Sequence, residues 1–222
     1  MVLVRFLAAA ILVASGLFLS GCKLVKNEQQ ASVDSGVDIF FNDKSFDPDK
    51  MANEMWDPKV IPYLEHKAGP FREVKVLIAK DPDEAGRTFG YREKEEGSPW
   101  NIVTHLDGKI VAAKTDSRAA TIDVDMDGDN NADATVQIGP VIRGTALRDS
   151  LDFISFNAFT NQIDYARFGK SLNAQMAKST LANLPKDLVG RTVSLIGVFV
   201  LERAATKPFI TPAKISIGDK AS

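Results

Sequence analysis

Hydrophobic residues open the chain as a nearly continuous block and fall into periodic patterns only later. Arg5 precedes an apolar stretch over residues 6–19, which is too short for a comfortable permanent membrane span and suits the central region of a signal peptide. Residues 22–36 are polar without a sustained period, as expected of a tether. From Phe46 a helical spacing begins: Asp47-Pro48 offers a cap with proline at the first helical position, and Met51, Met55 and Trp56 follow on one face. Pro58 and Pro62 are expected to break it. A second helical stretch through Phe71, Val74, Leu77 and Ile78 continues toward Ala85 and stops near Gly90. Residues 46–90 therefore read as helices packed on a core, with Trp56 a core side chain.

The period then shortens to that of strands. Residues 100–103 and 109–112 flank Asp107-Gly108, a dipeptide that accepts positive φ and so predicts a two-residue hairpin. Residues 120–124 and 134–138 supply two more strands, and Gly139-Pro140 closes a sheet-rich section spanning 97–140. Residues 145–184 read as mostly helical, with Ile163, Ala166, Leu172, Met176, Leu181 and Leu184 as an apolar stripe ended by Pro185. Two final strands, 193–201 and 209–217, predict a terminal β-hairpin over 190–218. The expected fold class is α+β: a β-barrel core like that of oligonucleotide/oligosaccharide-binding (OB) folds, with packed helices, in one globular body over 37–222.

Composition narrows the partners. The 27 basic and 29 acidic residues nearly cancel, for a net charge of −2, so the basic footprint of a nucleic-acid binder is missing and no nucleic-acid partner is expected. Cys22 is the one cysteine, which excludes an intrachain disulfide or a cysteine-based metal cluster. It follows Leu19-Ser20-Gly21, and small residues immediately before a cysteine resemble the lipobox that a bacterial lipoprotein peptidase cleaves. Residues 1–21 then form the signal peptide, and Cys22 becomes the acylated N-terminus, anchoring the body to the membrane more firmly than a single chain would. A flexible tether of about 14 residues spans on the order of 20 Å.

The run from Gln137 through Gly139-Pro140 and Arg143-Gly144-Thr145 to Asp149, the segment Phe156-Asn157-Ala158-Phe159-Thr160-Asn161-Gln162, and Gly97-Ser98-Pro99-Trp100 resemble the bacterial lipoprotein family called domain of unknown function 2291. The likeness covers nearly all of the chain beyond the signal peptide. It implies a periplasm-facing lipoprotein of the bacterial envelope, commonly encoded beside sugar ABC transporters, with no established biochemical activity. The transporter or its sugar-binding protein is the partner this context implies.

The densest chemistry lies in Asp123-Val124-Asp125-Met126-Asp127-Gly128-Asp129-Asn130-Asn131-Ala132-Asp133. Carboxylates this close repel one another unless a cation neutralises them, and alternating oxygen ligands suit calcium. A register starting at Asp123 puts Gly128 at the sharp turn of an EF-hand loop but leaves Ala134 where a bidentate glutamate belongs. The preferred register takes Asp125, Asp127, Asp129, Asn131 and Asp133 as ligands, with Asn130 at a positive-φ turn. The alternative is a solvated acidic hairpin without an ion.

A second candidate is the loop entering a helix near residue 145. Thr145 is placed to cap it, presenting Arg143, Arg148 and Asp149 together to a carboxylate, phosphate or sugar hydroxyl. An internal salt-bridge network is the alternative. Asn161 and Gln162 offer polar ligand contacts, or caps. Catalytic motifs are sparse: His66 and His105 lack further histidine or cysteine at zinc spacing, and Gly169-Lys170-Ser171 lacks the first glycine of a phosphate loop. The expected function is therefore a non-enzymatic accessory or binding component of carbohydrate ABC uptake. A carbohydrate-active hydrolase or esterase using Asp or Glu chemistry is the competing class.

Overall fold

The structure, a computed structural model, describes residues 46–93, 97–202 and 207–220; the predicted signal peptide, Cys22 and the tether lie outside them. Asp47 caps helix α1 (Pro48–Met55) by accepting from the N–H groups of Asp49 and Lys50 at 3.1 and 3.0 Å, as the Asp47-Pro48 pair predicts. The prolines that follow do not end the helical path. A π-helical turn over Trp56–Val60 carries the chain into α2 (Ile61–Lys67), with the Ile61 N–H reaching the Trp56 carbonyl. The wider turn replaces the α-helical bond that Pro58 has no N–H to make, and Pro62 sits in a first turn, where no donor is required. The next stretch divides at Asp81 into α3 (Phe71–Lys80) and α4 (Pro82–Phe89), because the Asp81 side chain caps the Glu84 N–H at 2.9 Å.

Two short strands, β1 (Gly69–Pro70) and β2 (Gly90–Tyr91), add to the outer edge of a long strand, β3 (Trp100–Lys114). Here the sequence expectation fails: Asp107-Gly108 is no turn but the middle of β3. A Cβ on Gly108 would stand 2.5 Å from the Asp125 carbonyl oxygen and 2.6 Å from Val124. The glycine thus serves the close approach of a neighbouring backbone, and it is not among the positive-φ glycines.

The first part of β3 pairs antiparallel with β6 (Arg191–Leu201), from Trp100 opposite Leu201 to Lys109 opposite Thr192. Past Gly108 it pairs with β4 (Thr121–Asp125), across a register shift between Ile110 and Ala112. β4 pairs antiparallel with β5 (Ala134–Gln137), β5 runs parallel to β7 (Phe209–Lys220), and β7 returns antiparallel to β6. The circuit β3-β4-β5-β7-β6-β3 is closed. The predicted terminal hairpin is its β6–β7 arm.

The helical section between β5 and β6 is shorter than its composition suggests. Only α5 (Ala146–Asp149) and α6 (Gln162–Thr180) form, separated by irregular chain with a single 3₁₀ turn over Phe156–Ala158. Leu151, Ile154 and Phe159 on that chain are nevertheless buried. One core lies inside the barrel, where Ile102, Leu106 and Ile110 of β3 meet Val124, Val136, Leu195, Phe199 and Ile210, and where Val74 and Ile78 of α3 join them. The other packs Trp56, Leu64, Leu147, Phe168, Leu172 and Met176 on the opposite faces of the strands, at Val103, Val198 and Ala213. The alternation of strand side chains feeds both. Both cores fall within the compact unit Ser35–Ser222, which has an interior of its own as a domain does.

Candidate functional site

The acidic loop joins β4 to β5, and its geometry comes from its own carboxylates. Asp125, 2% exposed, accepts from the N–H groups of Asp127, Gly128 and Asn130 at 3.1, 2.8 and 2.9 Å. These donors, Gly128 foremost, hold its carboxyl below the usual carboxylate range. Asn130 takes φ 63°, the positive-φ turn expected of it. Oxygen atoms of Asp125, Asp127 and Asp133 lie within 4.8 Å of one another, so the structure gathers three of the five predicted calcium ligands. Asp129 turns instead to Asn131, whose N–H and side-chain amide reach it at 2.7 and 3.0 Å. Helix α3 also intervenes: Lys75 Nζ donates to Asp133 at 2.9 Å, and Arg72 to the Met126 carbonyl at 2.9 Å. Part of the loop's charge is thereby balanced by protein cations, an element the local sequence did not reveal.

The arginine loop separates what the sequence places together. Thr145 makes no capping bond; its hydroxyl donates to Asp149 at 2.6 Å. Arg148, 8% exposed, donates from Nε to Asp149 at 2.7 Å and from Nη1 to the Tyr165 carbonyl at 3.1 Å, with its guanidinium 3.6 Å from the centre of the Tyr165 ring. Gly169 leaves room for it, since a Cβ there would stand 3.2 Å from the guanidinium. Gly169 and Ser171 of the Gly169-Lys170-Ser171 run therefore belong to the packed face of α6, with Ser171 bonded to Asp49, while Lys170 is exposed. Arg143 lies elsewhere. Its backbone N–H and carbonyl are both held by the Gln137 side chain, at 2.7 and 3.1 Å, and its guanidinium stands 5.0 Å over the Phe209 ring.

Two cavities result, one beside each arginine. The polar one, about 620 Å³, is lined by Tyr91, Glu93, Arg148, Phe156, Asn157, Gln162 and Tyr165, among others. Asn161 caps α6 through the N–H groups of Ile163 and Asp164, at 2.9 and 3.0 Å, and this fixes the next residue, Gln162, at the cavity wall. Glu93 accepts from the Ser155 hydroxyl at 2.9 Å and the Phe156 N–H at 2.7 Å, stitching the segment just after β2 to the irregular chain. Burial, aided by Asp149, pushes the Tyr165 phenol well up, so it stays a neutral donor. Tyr91, Glu93 and Asn157 were not identified from sequence; Phe156 and Asn157 fall in a segment carrying the family likeness, whereas Tyr91 and Glu93 arrive only through tertiary packing. The apolar cavity, about 500 Å³, is lined by Phe71, Val74, Ile78, Phe199, Leu201 and Phe209, with Lys75, Arg143 and Lys207 among its polar lining.

One arrangement has the composition of a hydrolase triad without its geometry. His105 on β3 approaches Ser194 at 3.4 Å and Asp107 at 3.5 Å, but both contacts use Nε2. A relay needs the carboxylate on one ring nitrogen and the nucleophile on the other.

The closed five-strand circuit with parallel β5–β7 and a helix between β5 and β6 defines an OB-type barrel. A crystal structure of an OB-fold protein from Thermotoga maritima MSB8 superposes with a TM-score of 0.61 at 19% identity, covering 78% of this chain and 99% of that one. The chain belongs to the predicted periplasmic lipoprotein family DUF2291, whose model matches residues 12–216. It is thus a lipoprotein of the bacterial envelope, facing the periplasm. Comparison with curated proteins finds no match. Among the described residues, no helix is long and apolar enough to cross a membrane.

Proposed function

We propose that this lipoprotein, anchored through Cys22, is a non-enzymatic accessory or binding component of carbohydrate ABC uptake, and that the polar cavity takes the sugar. The observation carrying this reading is the composition of the cavity wall. Phe156 is 40% exposed and held edge-on by Tyr165 at 5.4 Å between ring centroids, offering an aromatic surface of fixed orientation to the C–H face of a pyranose or furanose. The amides of Asn157 and Gln162 stand beside it, each able to donate and accept, which matches adjacent hydroxyl groups. A volume of about 620 Å³ accommodates a monosaccharide or disaccharide.

Binding is favoured over hydrolysis by the carboxylates. Glycosidase chemistry uses two that flank the scissile bond. Among the described lining residues Glu93 is the carboxylate present, and one of its oxygens already serves Ser155 and Phe156.

The test is calorimetric titration of the Ser35–Ser222 unit with a panel of neutral pentoses and hexoses. One sugar class should bind, and loss of one amide hydrogen bond in Gln162→Ala should weaken it about 3- to 10-fold. Absence of heat with every sugar, or unchanged affinity in an Asn157→Ala/Gln162→Ala double variant, would overturn the site. Turnover of a glycoside or ester that depends on Glu93 would replace the binding reading with the hydrolase.

A further inference from the structure

The apolar cavity has a chemistry that a neutral sugar does not satisfy. Its walls come from α3, the end of β6 and the start of β7, and Val74 is fully buried while Phe71 and Phe199 are nearly so. Around them stand three cations with different commitments. Lys75 is paired with Asp133 at 2.9 Å, and Lys207 with Asp123 at 3.3 Å. Arg143 has no carboxylate partner among the described residues; its guanidinium rests on Phe209, which is 38% exposed.

The base of Arg143 is nonetheless rigidly placed. Gln137, 2% exposed, grips the Arg143 backbone at both its N–H and its carbonyl, and is itself fixed by donating to the Thr211 hydroxyl at 2.9 Å. A buried glutamine that both accepts from and donates to one residue's backbone, and is anchored by Thr211, holds the Arg143 backbone at the cavity. The outcome is a planar, uncommitted guanidinium beside an apolar hollow of about 500 Å³. Guanidinium groups in such settings favour carboxylates and other oxyanions through paired charge-assisted bonds.

We infer that this cavity is a second binding site, independent of the sugar reading, for a small amphipathic organic anion: an apolar body lodged against Val74, Ile78 and Phe199, with its anionic head on Arg143. Glu202 also reaches the lining without pairing with Arg143, and its negative charge tempers the affinity. The site is thus tuned to a single anionic head on an apolar chain or ring.

Octanoate and octan-1-ol serve as probes, since they share a body and differ in the head. Binding to the Ser35–Ser222 unit is read by calorimetry and by the methyl resonances of Val74 and Ile78. Octanoate should bind about tenfold more tightly than octanol, the fold-change expected of one charge-assisted contact. Arg143→Gln should abolish that preference while octanol still binds, a result that a merely unfolded variant does not give. Glu202→Gln should increase the preference, and Val74→Trp, filling the hollow, should remove both ligands while the thermal transition remains cooperative. Failure of octanoate to bind the wild-type unit, or retention of the acid-over-alcohol preference in Arg143→Gln, would overturn the inference. Neither outcome bears on the sugar titration, which reads a different cavity.

Discussion

Gly108 offers the sharpest test of the fold, because a turn and a strand demand opposite things of it. In a two-residue hairpin the position needs positive φ, which asparagine accepts better than alanine. In β3 the demand is for space: a Cβ would meet the Asp125 carbonyl oxygen at 2.5 Å, Val124 at 2.6 Å and Met126 at 3.1 Å. The first is backbone of the paired strand and cannot rotate away. Overpacking of this kind costs about 1–3 kcal/mol, against which alanine recovers up to about 1 kcal/mol of unfolded-chain entropy. A net loss of about 1–2 kcal/mol lowers the melting temperature by roughly 2–8 °C in a domain of this size. Gly108→Asn should cost at least as much as Gly108→Ala, since its larger side chain meets the same wall. Gly190 is the control, with φ 86° and open space where a Cβ would go; there asparagine should be tolerated better than alanine. Thermal denaturation of the four variants decides it. If Gly108→Asn melts above Gly108→Ala, close strand approach is not what the glycine provides.

Three further outcomes follow. Cys22→Ser should abolish metabolic labelling with palmitate and leave unprocessed precursor, and persistent labelling would exclude Cys22 as the anchor. The expectation of calcium at Asp125, Asp127, Asp129, Asn131 and Asp133 is decided by melting: at roughly ten times a millimolar-range Kd, calcium should add about 1.4 kcal/mol, or about 3–6 °C. The rise should be larger in Lys75→Ala, which releases Oδ1 of Asp133, and equal transitions in calcium and chelator for both proteins would leave a hydrogen-bonded acidic hairpin. Stability should also fall in acid. Asp125 and Asp129 titrate below their ordinary 3.8, held down by hydrogen bonds from Gly128 and Asn131 respectively. In Asp123 burial pushes upward, but bonds from Thr135 and Lys207 outweigh it. Lowered folded values mean a contribution complete above pH 3.8 and lost as pH descends through them. Asp125→Asn should flatten that acid limb in pH-dependent melting, and an unchanged limb would refute the assignment.

The sequence was most readable where one residue makes its own local bond. Asp47 before Pro48, the stop at Gly90, the positive φ of Asn130 and the β6–β7 hairpin all follow from short-range chemistry. It misled where one residue type serves two purposes. Asp-Gly marks a turn in an isolated segment, but Gly108 answers to a neighbouring strand that only the closed barrel brings near. Arg143 and Arg148 are close in sequence, yet Gln137 fixes one and Asp149 with Tyr165 the other. Each cavity was only partly legible: Arg148 and Gln162 line one and Arg143 the other, but Glu93 meets Ser155, and Phe71 meets Phe199, only after the helices pack on the barrel.

Barrel closure also bears on which strand edges stay open. Strand addition requires a free edge of useful length. Among the described residues the five main strands pair in a closed circuit, but the β5–β7 seam uses only Phe209 and Ile210 of β7, and the additional strands on β3 are two residues each. The two proposed sites rely instead on side chains, where helices and irregular chain adjoin the barrel. They differ in chemistry: near Arg148 the guanidinium is spent on Asp149 and Tyr165, leaving amides, rings and Glu93 at the wall, whereas Arg143 has no carboxylate partner among the described residues and stands beside apolar walls. A molecule bearing only hydroxyl groups forfeits little at the first and would strand the charge of the second; an amphipathic anion does the reverse. Selectivity between the two proposed sites would therefore follow from which arginine is already paired.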